Sequence, residues 1–179
     1  MSRHAAVFLD RDGTVMVDVG YPSSPEQVQL LPDAAAGLAR LKQAGYKIVV
    51  ISNQSGIGRG LVTADDAQRV HDRLVDELAA AGVALDAAYY CPHAPEDECT
   101  CRKPSPGLIL RAAEELEIDL ARSFMVGDRD SDLEAGRRAG CRTILFGATD
   151  PGGLEPDHVS ASWDDVCDYV EQVRHTAAA

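Results

Sequence analysis

Short apolar runs separated by helical repeats set the plan of this chain. Ala5 to Leu9 (Ala-Ala-Val-Phe-Leu) and Lys47 to Ile51 (Lys-Ile-Val-Val-Ile) are stretches of strand length. Runs of this kind suit strands buried on both faces of a parallel sheet. Ala87 to Tyr90, Ser123 to Val126 and Arg142 to Phe146 read as three more strands. Between strands two and three, Ala67, Val70, Leu74 and Leu78 recur at three- and four-residue spacing, on one face of a helix opened by Thr63 and closed by Gly82. Asp33 is placed to cap a helix that runs through Ala44 to Gly45. Ser105-Pro106 opens another, because proline at the first helical position gives up no intrahelical bond. Helices over Ser131 to Ala139 and Asp164 to Arg174 complete the alternation. The pattern predicts an α/β fold, a Rossmann-like parallel sheet with right-handed crossovers and helices on both faces.

The 179 residues contain no linker, repeat or low-complexity tract, so a single domain over 1–179 is expected, with a disordered tail after Thr176. Seventeen basic and 29 acidic residues leave a net charge of -12, which argues against a nucleic-acid partner. The first apolar run is too short for a signal peptide or a membrane span, so the expectation is a cytoplasmic protein with no membrane partner. Oligomeric state is not legible, and a monomer fits. In a reducing compartment the five cysteines are expected to be metal ligands or buried thiols, not disulfides.

In parallel sheets, ligands bind at the carboxyl ends of the strands. The polar motifs here begin where apolar strands stop: Asp10 after the first, Ser52 after the second, Asp128 after the fourth. Three distant segments are therefore expected on one rim. In Asp10-Arg11-Asp12-Gly13-Thr14 a plain turn accounts for Gly13, but not for acidic groups gathered from two strands. Asp130 and Asp132 suit a helix start, whereas Asp128 ends its strand and faces the rim. Asp10 and Asp128 side by side repel unless a cation lies between them, and a hard ion such as Mg2+ answers that need while also binding phosphate oxygens. Ser52-Asn53-Gln54 offers a hydroxyl and backbone N–H groups for phosphate oxygens, and Lys103 precedes a helix beside the same rim.

A second cluster stands apart. Cys91, His93, Cys99 and Cys101 place four soft or borderline ligands within 11 residues. Three thiolates and one imidazole match a tetrahedral Cys3His zinc site with no open position, hence a structural one. This zinc-binding loop, 91–101, leads straight into Arg102 and Lys103. Cys141 and Cys167 are read as buried thiols. His4, His71, His158 and His175 are read as surface or packing residues.

The four motifs, in this order over roughly residues 5 to 150, resemble the haloacid dehalogenase phosphohydrolase superfamily. That resemblance implies an aspartyl-phosphate mechanism. Asp10 is the nucleophile and Asp12 the acid and base, while Ser52 and Lys103 stabilise the transferring group. Asp10, the backbone carbonyl of Asp12, and Asp128 hold Mg2+, with Asp132 supporting them from behind and Arg129 beside the metal aspartate. Only about 18 residues separate Thr14 from Asp33, so no large cap domain is expected. Together with Asp18-Val19-Gly20-Tyr21, Ser52 to Ile57 and the cysteine loop, the chain is similar to the D-glycero-D-manno-heptose 1,7-bisphosphate 7-phosphatase group. The similarity implies a small phosphorylated sugar as substrate, contacted by Asp18, Gly20, Tyr21, Asn53, Gln54, Ser55 and Arg102, with Arg102 on the distal phosphate. Two features depart from the group: the short His93–Cys99 segment, and Arg129 where lysine also occurs. Histidinol phosphate, the substrate class of a relative sharing these motifs, or another small phosphate monoester stays open, as does a zinc-stabilised binding module without catalysis.

Overall fold

The computed structural model describes residues 3–147 and 153–177. Six strands form one parallel sheet: β1 (Ala6–Leu9), β2 (Lys47–Asn53), β3 (Ala87–Cys91), β4 (Phe124–Gly127), β5 (Arg142–Phe146) and β6 (His158–Ser160), in spatial order β3-β2-β1-β4-β5-β6. The helices are α1 (Ala34–Gln43), the single turn α2 (Ser55–Gly58), α3 (Ala64–Ala80), α4 (Gly107–Glu115), α5 (Asp130–Ala139) and α6 (Trp163–Ala177). The five expected strands and the α/β architecture are present, but β2 runs on through Asn53, so Ser52 lies in the end of the strand, paired with Tyr90, and not after it, because pairing with β3 continues past the apolar run. β6 and α2 are additions, each too short to leave a periodic signature in the sequence.

Alternation along the strands divides the core in two. Val7, Leu9, Ile48, Phe124 and Val126 face a layer containing Leu38 and Leu41 of α1, Val70, Leu74 and Leu78 of α3, and Trp163, Val166 and Val170 of α6. Ala6, Phe8, Val49, Ile51 and Met125 face Ile109 and Ala112 of α4 and Ala135 of α5. Each β1 side chain is buried, because helices cover both faces. Cys141 and Cys167 are buried as expected. No helix of the described residues is long and apolar enough to cross a membrane.

Helix starts differ in detail. Asp33 does stand at the amino end of α1, but in a left-handed conformation (φ 60°), and its side chain makes no capping bond. A capping aspartate needs extended backbone to aim its carboxylate at the first-turn N–H groups, and this φ turns it away. Thr63 caps α3 as expected, accepting a hydrogen bond from the Asp66 N–H at 3.0 Å. α4 starts at Gly107, and the Ser105 hydroxyl donates to the Thr100 carbonyl instead of capping. α6 runs through Ala177, and the rest of the expected tail, 178–179, lies outside the described residues.

β1 stands at the switch point, with β2 on one side and β4 on the other. Leu9 is in register with Val50 and with Val126, so the next residues, Asp10, Ile51 and Gly127, emerge at one level. The Asp10 N–H donates to the Val126 carbonyl at 2.9 Å and holds that level. The segment between β1 and α1 holds one 3-10 turn (Pro25–Gln27) and no cap domain, so the rim is open.

Trp163 is fully buried, lies 5.3 Å from the Phe146 ring, and donates its indole N–H to the Thr14 carbonyl at 3.1 Å. Trp163→Ala is expected to cost about 3–5 kcal/mol through the cavity it leaves. Urea unfolding followed by circular dichroism reads this directly.

Candidate active site

The loop after β1 is a tight turn built on one carbonyl. Arg11 accepts from the Val15 and Met16 N–H groups at 3.0 and 3.1 Å, while the Gly13 N–H donates to the Met16 carbonyl at 2.8 Å. Gly13 has φ +81°, and a Cβ there would lie 2.3 Å from Asp128 Oδ2. The glycine therefore supplies both the left-handed turn and the space for a carboxylate. By this means Asp10 and Asp128, 118 positions apart, are brought to one point with Asp132; the three offer oxygens within 4.8 Å of one another.

Three carboxylates so close require positive charge, and Lys103 supplies part of it. Its Nζ lies 2.8 Å from Asp10 Oδ1 and 2.6 Å from Asp132 Oδ1, and donates to the Ile51 carbonyl at 2.7 Å. Burial alone would lower the Lys103 pKa, but the two carboxylates outweigh it and hold the ammonium well above its usual range. Asn53 fixes this lysine through its backbone, donating to the Lys103 carbonyl and accepting its N–H, both at 3.0 Å. Asp132 also accepts the Arg129 N–H at 3.1 Å, so it braces Lys103 and the start of α5 together.

Asp128 is compensated by protein only in part, through the charge of Arg129. Its buried Oδ1 has no hydrogen-bond partner among the described residues. Burial, then Asp10, then Asp132 push its carboxyl up to about 7. An orphaned oxygen in a cluster of hard oxygen donors is what a divalent cation site provides, so these residues fit the ion expected from the sequence.

Asp12 sits on the other side of Asp10. Burial raises its pKa against the pull of Arg11 and Gln54. Gln54 donates to Asp12 Oδ2 at 2.9 Å and to Ser52 Oγ at 2.8 Å. Arg11 was not singled out by the sequence reading. It is 1% exposed, pairs with Asp12 at 3.1 Å, donates to Gln54 Oε1 at 3.0 Å and lies over the Tyr90 ring at 5.6 Å. The aromatic at the end of β3 was its only trace in the sequence.

A hollow of about 480 Å³ opens above these groups. Asp10, Asp12 and Lys103 line it, as do all seven residues expected to contact substrate: Asp18, Gly20, Tyr21, Asn53, Gln54, Ser55 and Arg102. Ser52 is buried beneath it. Asp18 accepts from the Gly20 N–H at 2.8 Å and pairs with Arg129 at 2.9 Å, which joins the β1 loop to α5 across the mouth. The side chains of Asn53 and Gln54 bond to protein groups, so they shape the rim as well as face it. Of the four histidines without an expected role, His71 packs on Tyr90 and bonds its hydroxyl at 2.6 Å, and His158 stacks on Tyr169 at 4.3 Å.

The cysteine loop is assembled as expected. Cys91 Sγ lies 3.5 Å from Cys99 Sγ and 3.1 Å from Cys101 Sγ; His93 Nδ1 lies 3.6 Å from Cys91 Sγ and 3.2 Å from Cys101 Sγ. Zn–S bonds of about 2.3 Å set tetrahedral edges near 3.8 Å, so slight expansion admits an ion. Gly107 lets α4 close onto the loop, since a Cβ there would lie 2.2 Å from the Thr100 carbonyl oxygen.

A parallel sheet with paired aspartates and a buried lysine at its switch point defines a hydrolase of the haloacid dehalogenase class, and residues 100–172 match the family model described as HAD-hydrolase-like. The D-glycero-beta-D-manno-heptose-1,7-bisphosphate 7-phosphatase of Helicobacter pylori (strain 26695) is 41% identical over 174 residues, 97% of this chain and 98% of that protein. Its counterpart in Pasteurella multocida is 44% identical over 147 residues, 79% of this chain and 80% of that protein. The crystal structure of the D,D-heptose 1,7-bisphosphate phosphatase from B. bronchiseptica, complexed with magnesium and phosphate, superposes with a TM-score of 0.87 at 36% identity, covering 94% of this chain and 98% of that one. The chain belongs to the heptose 1,7-bisphosphate 7-phosphatase family.

Gly13→Ala is expected to cost about 1–2 kcal/mol from its left-handed backbone alone. Because Asp128 must also move, phosphate release should fall by about 100-fold or more. Stability by denaturation and turnover by phosphate assay check the two parts separately.

Proposed function

We propose that the chain is a Mg2+-dependent phosphatase that removes the C7 phosphate of D-glycero-β-D-manno-heptose 1,7-bisphosphate. The observation that carries the reading is the convergence of Asp10, Lys103 and Asp128 under a hollow lined by every residue expected to contact substrate. The sugar and its β configuration rest on the printed names of relatives matched over most of their length.

Asp10 Oδ1 is held by Lys103, which fixes the carboxylate at the floor of the hollow. Its attack forms an aspartyl-phosphate as the bond between phosphorus and the C7 oxygen breaks. Asp12, whose burial favours its protonated form, donates a proton to that oxygen. Asp12 then takes a proton from water as the water attacks phosphorus, which frees Asp10 and inorganic phosphate. Ser52 and Lys103 stabilise the charge on the transferring group. Mg2+ held by Asp10, the Asp12 carbonyl and Asp128 would neutralise phosphate oxygen charge so that a carboxylate can approach. Arg102 and Arg129 at the mouth are the cations available to the distal phosphate. The Cys91, His93, Cys99 and Cys101 cluster is proposed to hold structural Zn2+, which fixes the loop that carries Arg102 and Lys103.

Asp10→Asn should lower Mg2+-dependent turnover by at least about 1,000-fold. On the wild-type chain, kcat/KM for the heptose β-1,7-bisphosphate should exceed that for histidinol phosphate by about 100-fold or more; the reverse order would refute the substrate assignment. Elemental analysis should find one zinc per chain. The C99S/C101S double variant should lose that zinc and melt on the order of 10 °C lower.

A further inference from the structure

A second hollow, roomier than the catalytic one, lies elsewhere on the described residues. It measures about 550 Å³ and lies at the opposite end of the sheet, where Ala5, Tyr46, Phe124 and Arg142 mark the amino ends of β1, β2, β4 and β5. At about 3.3 Å per residue, the four residues of β1 separate it from the Asp10 rim by roughly 13 Å.

Its charge is opposite to that of the whole molecule. Arg3, Arg122, Arg142, Arg174 and His4 surround it, and none of its lining residues is acidic, in a chain of net charge -12. Ten of the 17 lysines and arginines form ion pairs among the described residues. Seven do not, and four of those seven line this hollow. Arg174 is held in place by its bond to the Ala44 carbonyl at 2.6 Å, which leaves its other donors unpaired among the described residues. Arg174 and Arg122 both lie close enough to the Tyr46 hydroxyl to offset part of the effect of burial on it. The nearby floor is apolar: Ala5, Ala44, Phe124 and Val173.

Unpaired guanidiniums converging on a concave site match the oxygens of a phosphoryl group, and the apolar floor suits a carbon skeleton attached to it. We propose that this hollow is a second binding site, for a small organic phosphate, independent of the catalytic rim.

The test is a titration of the full chain with AMP in Mg2+-free buffer, followed by amide chemical shifts in a 1H–15N spectrum. A parallel titration uses inorganic phosphate. Saturable shifts at Ala44, Gly45, Tyr46 and Phe124 are expected, with AMP binding more tightly than inorganic phosphate. Raising the salt should weaken binding. The R122Q/R142Q double variant replaces two exposed side chains that make no ion pair among the described residues, so it should keep the fold and lose about tenfold or more in AMP affinity, with unchanged turnover. Shifts confined to Gly13, Asn53 and Arg129, no saturation at millimolar AMP, or an affinity the double variant leaves unaltered would each overturn the proposal.

Discussion

Like charges forced together at the sheet's switch point are the constraint from which the rest of the molecule follows. Asp10, Asp128 and Asp132 offer oxygens within 4.8 Å of one another, two of the three residues being fully or nearly fully buried. Lys103 satisfies Asp10 and Asp132 but leaves an oxygen of Asp128 without a partner. The site is thus balanced for one more positive charge, and a cation has a place defined by repulsion before it arrives. Gly13 admits Asp128, Asn53 clamps the backbone of Lys103, and α5 presents Asp132 from its first turn.

The cysteine loop gains meaning from this balance. Lys103 comes from no strand or helix; it follows two residues after Cys101 and precedes α4. A loop without an apolar core cannot hold a buried ammonium to a fraction of an ångström. The close approach at Gly107 and the Asn53 clamp contribute to that, and the zinc proposed for the four clustered ligands would complete it. Without a cap domain, the hollow is bounded by short rim segments, from Asp18 to Tyr21 and at Arg102 and Arg129.

Much of this was legible because the chemistry is written at strand ends. Buried parallel strands are continuous apolar runs, so the points where Asp10, Ser52 and Asp128 begin are visible in the sequence. The Cys-x-His and Cys-x-Cys pairs are local and equally visible. Other features depend on three-dimensional context. Arg11 has no such signal, because its partners come from distant segments, Gln54 just after β2 and Tyr90 in β3, and burial of a guanidinium on an aromatic ring has no local pattern. The left-handed Asp33 looks like an ordinary cap until its φ is known. β6 has three residues, and its pairing to β5, not its composition, makes it a strand. The arginine-lined hollow draws on five separate segments, none of them notable alone.

The nucleophile can be tested without substitution. Wild-type enzyme turning over its heptose bisphosphate is quenched and treated with borohydride, which reduces an aspartyl-phosphate to homoserine, and the peptides are mapped by mass spectrometry. The account predicts substrate-dependent homoserine at position 10 alone. Homoserine at position 12, or none at any aspartate while phosphate is being released, would contradict it.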